Sequence, residues 1–141
     1  MAHRKVSTVI FYTDDGRILL QDREGIAKFG EEYDFFGGGI DTGENPLDAI
    51  KRELKEEMDY EPLDLKFFKM FDFKIDAYNS RTEYVFIAKA PDFDKVTVLE
   101  GKAAKLFTIQ EALKLKLFPY DDIIINDFAK SGIVSKKSTT T

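Results

Sequence analysis

The chain has 141 residues and no cysteine, and its 26 acidic side chains against 21 basic ones leave a formal charge of -5. That length is one ordinary domain, able to bury a core without disulfide or metal staples, and the lack of cysteine excludes a disulfide framework, a thiolate metal site and a cysteine nucleophile while fitting a cytoplasmic protein. The acidic balance argues against a protein held to long nucleic acid by its phosphates, but not against one that meets a small polyphosphate through metal ions.

The basic start, Met1 to Lys5, runs into Val6–Tyr12, which carries no small-residue cleavage pattern and reads as a first strand rather than a signal peptide. His3, the one histidine, is placed in the N-terminal tail and given no role. Arg17–Gln21 pairs back on the first strand as a hairpin across the turn sequence Thr13-Asp14-Asp15-Gly16. Asp22 to Asp34 reads as a loop, Phe35-Phe36 as a short strand, and Gly37-Gly38-Gly39 as the opening of an irregular turn that runs to Gly43. Glu44 to Met58 reads as a helix, with Pro46 near its start and Leu47, Ile50, Leu54 and Met58 forming an apolar stripe.

Leu65 to Ile75 and Thr82 to Lys89 are expected to be strands, joined through a turn at Asp76–Arg81. In the first, alternation places Phe67, Phe71 and Phe73 on one face and Phe68 and Met70 on the other. Both faces are then partly apolar, which suits a central strand covered on both sides, or else a surface that pairs with a second copy in a homodimer. Short extended pieces follow at Val96–Leu99 and Leu106-Phe107, then helices over Ile109–Leu115 and Tyr120–Ala129, the last ending at Gly132. Alternating strands and helices predict a single α/β domain over 1–134 with a mixed sheet, followed by a small polar tail, 135–141, expected to be disordered. No apolar run approaches about 18 residues, so no membrane span is expected.

The chemistry concentrates in the glutamate helix. With Glu53 at zero on a helical wheel, Glu57 lies at about 40° and Glu56 at about 60° on the other side, so three carboxylates project within one arc beside the apolar stripe. Like charges at this spacing destabilise a helix unless a cation joins them. Mg²⁺ takes hard oxygen ligands and is commonly held between a few carboxylates and substrate phosphates. On spacing alone, a solvated Glu/Lys-rich surface helix fits about as well. Arg52 is placed to pair with Glu56 four residues on.

These residues resemble the signature of the Nudix hydrolase family. Gly38 is followed after five residues by Glu44, and seven residues later by Arg52-Glu53-Leu54-Lys55-Glu56-Glu57. One position departs: the family's glycine after the helix is Asp59 here, a residue that can still take a left-handed backbone at moderate cost.

The resemblance implies an α/β/α sandwich with a central mixed sheet and a hydrolase that attacks a diphosphate linkage with water, using Mg²⁺ or, as a substitute, Mn²⁺. It implies Glu53 and Glu57 as the leading metal ligands, then Glu56 and Glu44, with Arg52 orienting a glutamate and a carbonyl of Gly38 or Gly39 as a further ligand. The general base is then Glu57 or a glutamate far along the chain, for which Glu100 is the candidate. Arg23, at a strand end, would face substrate phosphates, with Lys28 and Arg81 weaker choices, and Tyr33, Phe35, Tyr78 and Tyr84 are candidates to stack on a base. The implied partner is a small nucleotide-type substrate: a nucleoside triphosphate, a nucleotide sugar or a dinucleoside polyphosphate. A nucleotide-binding module without turnover is the alternative. An isoprenoid diphosphate isomerase on the same fold would need a cysteine that this chain lacks.

Overall fold

The computed structural model describes residues 2–92 and 104–134. Its strands are β1 (Ala2–Tyr12), β2 (Arg17–Asp22), β3 (Tyr33–Asp34), β4 (Phe36–Gly39), β5 (Lys66–Lys74), β6 (Asn79–Lys89) and β7 (Ala104–Thr108). Its helices are α1 (Pro46–Met58), α2 (Ile109–Ala112) and α3 (Asp121–Lys130). The strands form one seven-stranded sheet in the order β3-β2-β1-β6-β5, with β4 also on β1 and β7 also on β2. β1 runs parallel to β6 along its whole length and antiparallel to β2 and β4, so the sheet is mixed, as expected.

The hairpin partners touch only near their turn, through Phe11↔Leu19 and Tyr12↔Ile18. Beyond that point β1 and β2 splay apart and the segment 33–39 enters the gap. β3 pairs with the far end of β2 and β4 with residues Val6–Val9 of β1. The glycines expected in an irregular turn are therefore strand residues, with Gly39, Gly38 and Gly37 opposite Val6, Ser7 and Thr8. The local sequence reads as a turn because glycine is a turn former; a non-local partner overrides it. Gly37 has φ 140°, and a Cβ there would run into the Ser7 carbonyl, so this strand depends on glycine.

Two apolar clusters lie on opposite faces of the sheet. Val9, Phe11, Leu19, Phe36 and Phe86 pack on Ile50, Leu54 and Met58 of α1. Ile10, Ile18, Leu20, Phe71, Val85 and Ile87 pack on Ala112 of α2 and Ile124, Ile125 and Phe128 of α3. The period-two alternation of β1 sends Val9 and Phe11 to one layer and Ile10 to the other, which gives the expected α/β/α sandwich. α1 starts two residues later than expected, at Pro46, because the Asn45 side chain caps it by accepting from Asp48 N at 2.8 Å. Leu47 falls off the stripe and is exposed.

β5 is an edge strand, not a central one. A bulge between Phe67 and Lys69 breaks its alternation. Phe68 therefore joins Phe71 and Phe73 against the α3 layer, while Phe67 turns to Phe86 on the opposite side and stays 55% exposed. His3 is not in a loose tail: it sits in β1, its ring nitrogens 2.7 Å from Ser80 Oγ and 3.0 Å from Thr82 Oγ1. The expected extended piece at Val96–Leu99 and the tail 135–141 lie outside the described residues.

Candidate active site

The glutamates of α1 reach their places because β4 is nearly bare of side chains. Glu57 is buried at 2% exposure, and its Oε1 accepts from Gly37 N at 2.9 Å. A Cβ on Gly38 would stand 2.5 Å from Glu53 Cδ, so that carboxyl group occupies the space the glycine leaves open. Glu56, on the other side of the arc, is exposed.

Arg52 ties the start of the helix to this row. Its Nε and Nη2 donate to the two oxygens of Glu44 at 2.9 Å each, in the paired geometry that a planar guanidinium favours. Nη2 also donates to the Gly39 carbonyl at 2.9 Å, and Nη1 to Glu53 Oε1 at 3.0 Å and to Glu56 at 3.3 Å. Held by Arg52 and by the Asp41 N–H, the Glu44 carboxyl is lowered to about 2. The Arg52 guanidinium is raised in turn, above all by Glu44. Glu44 is thus a brace of the helix start, and the Gly39 carbonyl is engaged by Arg52.

Glu53 and Glu57 line a cavity of about 480 Å³ together with Gly37, Gly38 and Gly39. Its floor is the face of β1 that carries Arg4, Val6 and Thr8, the same face that sends Ile10 toward α3. Carboxylates from one layer and a floor from the other thus meet across the thin glycine strand. Arg23, Lys28 and Arg81 also line it. Arg23 is held by Gln21 at 3.0 Å and by buried Glu31 at 3.3 Å. Of the aromatic candidates, Phe35 lines the cavity, whereas Tyr33 packs on Phe107, Tyr84 packs in the α1 layer and Tyr78 is exposed. Phe29 and Phe118, which the sequence did not single out, form an edge-to-face pair at 5.3 Å on the cavity wall, with the Arg81 guanidinium 4.1 Å over the Phe118 ring. Glu100 lies outside the described residues.

A second acidic group, also unforeseen, borders the cavity. Asp34 lines it, Glu83 accepts from Thr8 Oγ1 at 2.7 Å and stands 3.2 Å from Arg81 Nε, and Asp121 is fully buried with no donor to either oxygen among the described residues. Burial raises the Asp121 carboxyl well above the usual range, and the charge of Asp34 raises it further. Burial also raises Glu83, against the pull of Arg81. A proton on Asp121 makes it a donor to Asp34. These three acids are far apart in sequence and meet only through the β6 and α3 packing, so no motif could have found them.

For a divalent ion the donor chemistry fits. Glu53 and Glu57 offer hard oxygens on one wall, and Gly38 leaves room beside them. Among the described residues no three acidic side chains form a ready-made cage.

The chain is thus an α/β/α sandwich with a helix of carboxylates laid over a glycine strand. A family model described as the NUDIX domain matches residues 1–128, and the chain belongs to the Nudix hydrolase family. Over 70 residues it is 34% identical to the 8-oxo-dGTP diphosphatase of Haemophilus influenzae, a match covering 50% of this chain and 52% of that one. Over 57 residues it is 39% identical to the RNA pyrophosphohydrolase of Halorhodospira halophila, covering 40% and 29%. The chain spans about half the length of the first of these curated relatives and under a third of the second. The solution structure of the E. coli ORF135 protein superposes with a TM-score of 0.74 at 22% identity, covering 96% of each chain. The MutT protein of Methanosarcina mazei Go1 gives 0.76 at 17%, covering 93% of this chain and 96% of that one. At these identities the likeness is one of fold.

Proposed function

We propose that the chain is a magnesium-dependent hydrolase, with manganese as a substitute, that cleaves the diphosphate linkage of a small nucleotide-type substrate in the cytoplasm. One observation carries this reading: Glu53 and Glu57, fixed on the glycine strand, face a cavity whose other walls carry cations and an aromatic pair. The cations suit phosphates, and Phe29 with Phe118 suits a base. A bound ion neutralises phosphate charge and lowers the pKa of the attacking water.

The chain's own residues supply position. Glu53 and Glu57 would hold the ion, with Glu56 beside them at the exposed rim. Arg52 keeps Glu44, Glu53 and the Gly39 carbonyl in one frame, so the acids meet the substrate already placed. Glu57 or Glu100 takes the proton from water. The names of the two curated relatives, an 8-oxo-dGTP diphosphatase and an RNA pyrophosphohydrolase, support a nucleotide polyphosphate as substrate. The alternative of binding without turnover rested on Asp59, and Asp59 takes the left-handed conformation, φ 47° and ψ 48°, that a C-terminal glycine would take.

The test is a panel of nucleoside triphosphates, nucleotide sugars and dinucleoside polyphosphates with Mg²⁺, followed by phosphate or pyrophosphate release. Turnover should vanish with EDTA, and Glu57→Gln should fall at least about 100-fold. Folded protein that turns over none of the panel, or a variant with full rate, would overturn the reading.

A further inference from the structure

Arg4 differs from the other arginines. Arg17, Arg23, Arg52 and Arg81 each reach a carboxylate, whereas the Arg4 side chain has no ion pair or hydrogen bond with any described residue. Its place is set by β1, whose alternation puts Arg4, Val6 and Thr8 on the cavity face and whose parallel register sets Arg4 beside Arg81 on β6. Two guanidinium groups on neighbouring strands repel each other. The charge of Arg81 is met by Glu83, and that of Arg4 is met by no carboxylate among the described residues. The tip of Arg4 lies on the glycine strand, since a Cβ on Gly39 would stand 3.0 Å from its Nη2. The adjoining Gly38 is the residue against which the Glu53 carboxyl presses. Lys28 is also without a carboxylate among the described residues, but it comes from the loop beside Phe29 and not from β1.

We propose that Arg4 grips a phosphate beyond the two that an ion at Glu53 and Glu57 would meet. The chain then selects nucleosides carrying three or more phosphates over diphosphates capped by a neutral sugar. A guanidinium fork matches a terminal phosphate with two parallel hydrogen bonds and finds no such partner on a sugar hydroxyl. The assignment rests on the hydrolase reading for what the two glutamates hold, and goes beyond it in naming the substrate class and the residue that selects it.

The experiment compares the full chain with Arg4→Gln and Arg4→Lys, using a nucleoside triphosphate and a nucleoside diphosphate sugar on the same base. Binding of non-hydrolysable versions in Mg²⁺ is measured by calorimetry, alongside kcat and KM on the hydrolysable compounds. Arg4→Gln should lose about 10–100-fold in triphosphate affinity and kcat/KM, while the diphosphate sugar moves less than about threefold. Arg4→Lys should recover part of the loss, because it keeps the charge and not the fork. A structural Arg4 would instead weaken both ligands together and lower the melting temperature. Equal loss on both ligands, no loss, or a wild type without preference (including one that binds neither) overturns the assignment. If Arg4→Gln discriminates in binding but the wild type turns nothing over, the hydrolase reading falls and the Arg4 assignment stands. Turnover without discrimination gives the reverse.

Discussion

Gly38 contributes to the site by lacking a side chain. Its neighbour Gly37 is held by backbone, since a Cβ there would meet the Ser7 carbonyl, whereas a Cβ on Gly38 would meet only the end of the flexible Glu53 side chain. The two glycines should therefore fail in different ways. Gly38→Ala is expected to leave the fold within about 1 kcal/mol of wild type, because a side-chain end can swing aside. It should still lower kcat by about 100-fold, because a carboxylate displaced by an ångström no longer meets its partner. Chemical denaturation and steady-state rates measured on one preparation check both halves. A variant that keeps its rate would mean that Glu53 is not held where the chemistry needs it. Gly38 was legible in the sequence through the spacing from Gly38 to Glu57. Arg4 was not: in sequence it is one cation in a basic start, and it gains meaning only from its register with Arg81 and its contact with Gly39.

At the scale of elements, α1 was the most legible part of the chain. Its apolar stripe and acidic arc are local, and apart from the exposed Leu47 both fall where helical spacing puts them, with Ile50, Leu54, Met58 and Glu57 buried. The glycine half of β4 and the edge position and faces of β5 were not legible, for the opposite reason. The glycine strand exists because β1 and β2 splay apart, and the faces of β5 depend on a bulge; neither is written in the local pattern. The end of α1 lies between these cases. Asp59 takes the left-handed conformation and its N–H bonds to Lys55 O at 3.0 Å, so the helix closes normally on a residue that pays some strain there. Its negative charge also sits at the unfavourable end of the helix dipole. Asp59→Gly relieves both effects and should stabilise the chain by about 0.5–1.5 kcal/mol with turnover unchanged. Asp59→Asn keeps the backbone preference and removes the charge, so it should recover only part of that gain. Denaturant midpoints of the three proteins separate the two contributions. A less stable Asp59→Gly would show that the Asp59 side chain contributes more than its conformation costs.

For the molecule as a whole, the acids that brace the glutamate helix and the acids buried beside the cavity respond oppositely to pH. Glu44 is lowered to about 2 by Arg52, and Asp15 and Asp76 are lowered by their own hydrogen bonds. These groups favour the folded chain above the ordinary carboxylate range, and that contribution is lost as pH falls through their folded values. Asp121 and Glu83 are raised, chiefly by burial. The folded chain keeps their protons at pH values where the unfolded chain has released them, so their contribution is fully present below the ordinary carboxylate range. It is lost as pH rises from that range through the folded values. Stability should therefore peak in mild acid rather than at neutrality. Asp121→Asn isolates one side of this balance. The amide is neutral at every pH and can donate to Asp34, as protonated Asp121 does. At neutral pH the variant should be more stable than wild type by about 1–3 kcal/mol, because wild-type Asp121 must there take up a proton on folding or bear a buried charge without donors. That difference should shrink toward zero as pH falls to the ordinary carboxylate range, where wild-type Asp121 also carries its proton when unfolded. Urea unfolding of both proteins across this range gives the difference directly. A gap that does not change with pH would mean that the substitution acts through packing rather than through the proton. A variant less stable at neutral pH would mean that the Asp121 carboxylate is satisfied as an anion in the fold.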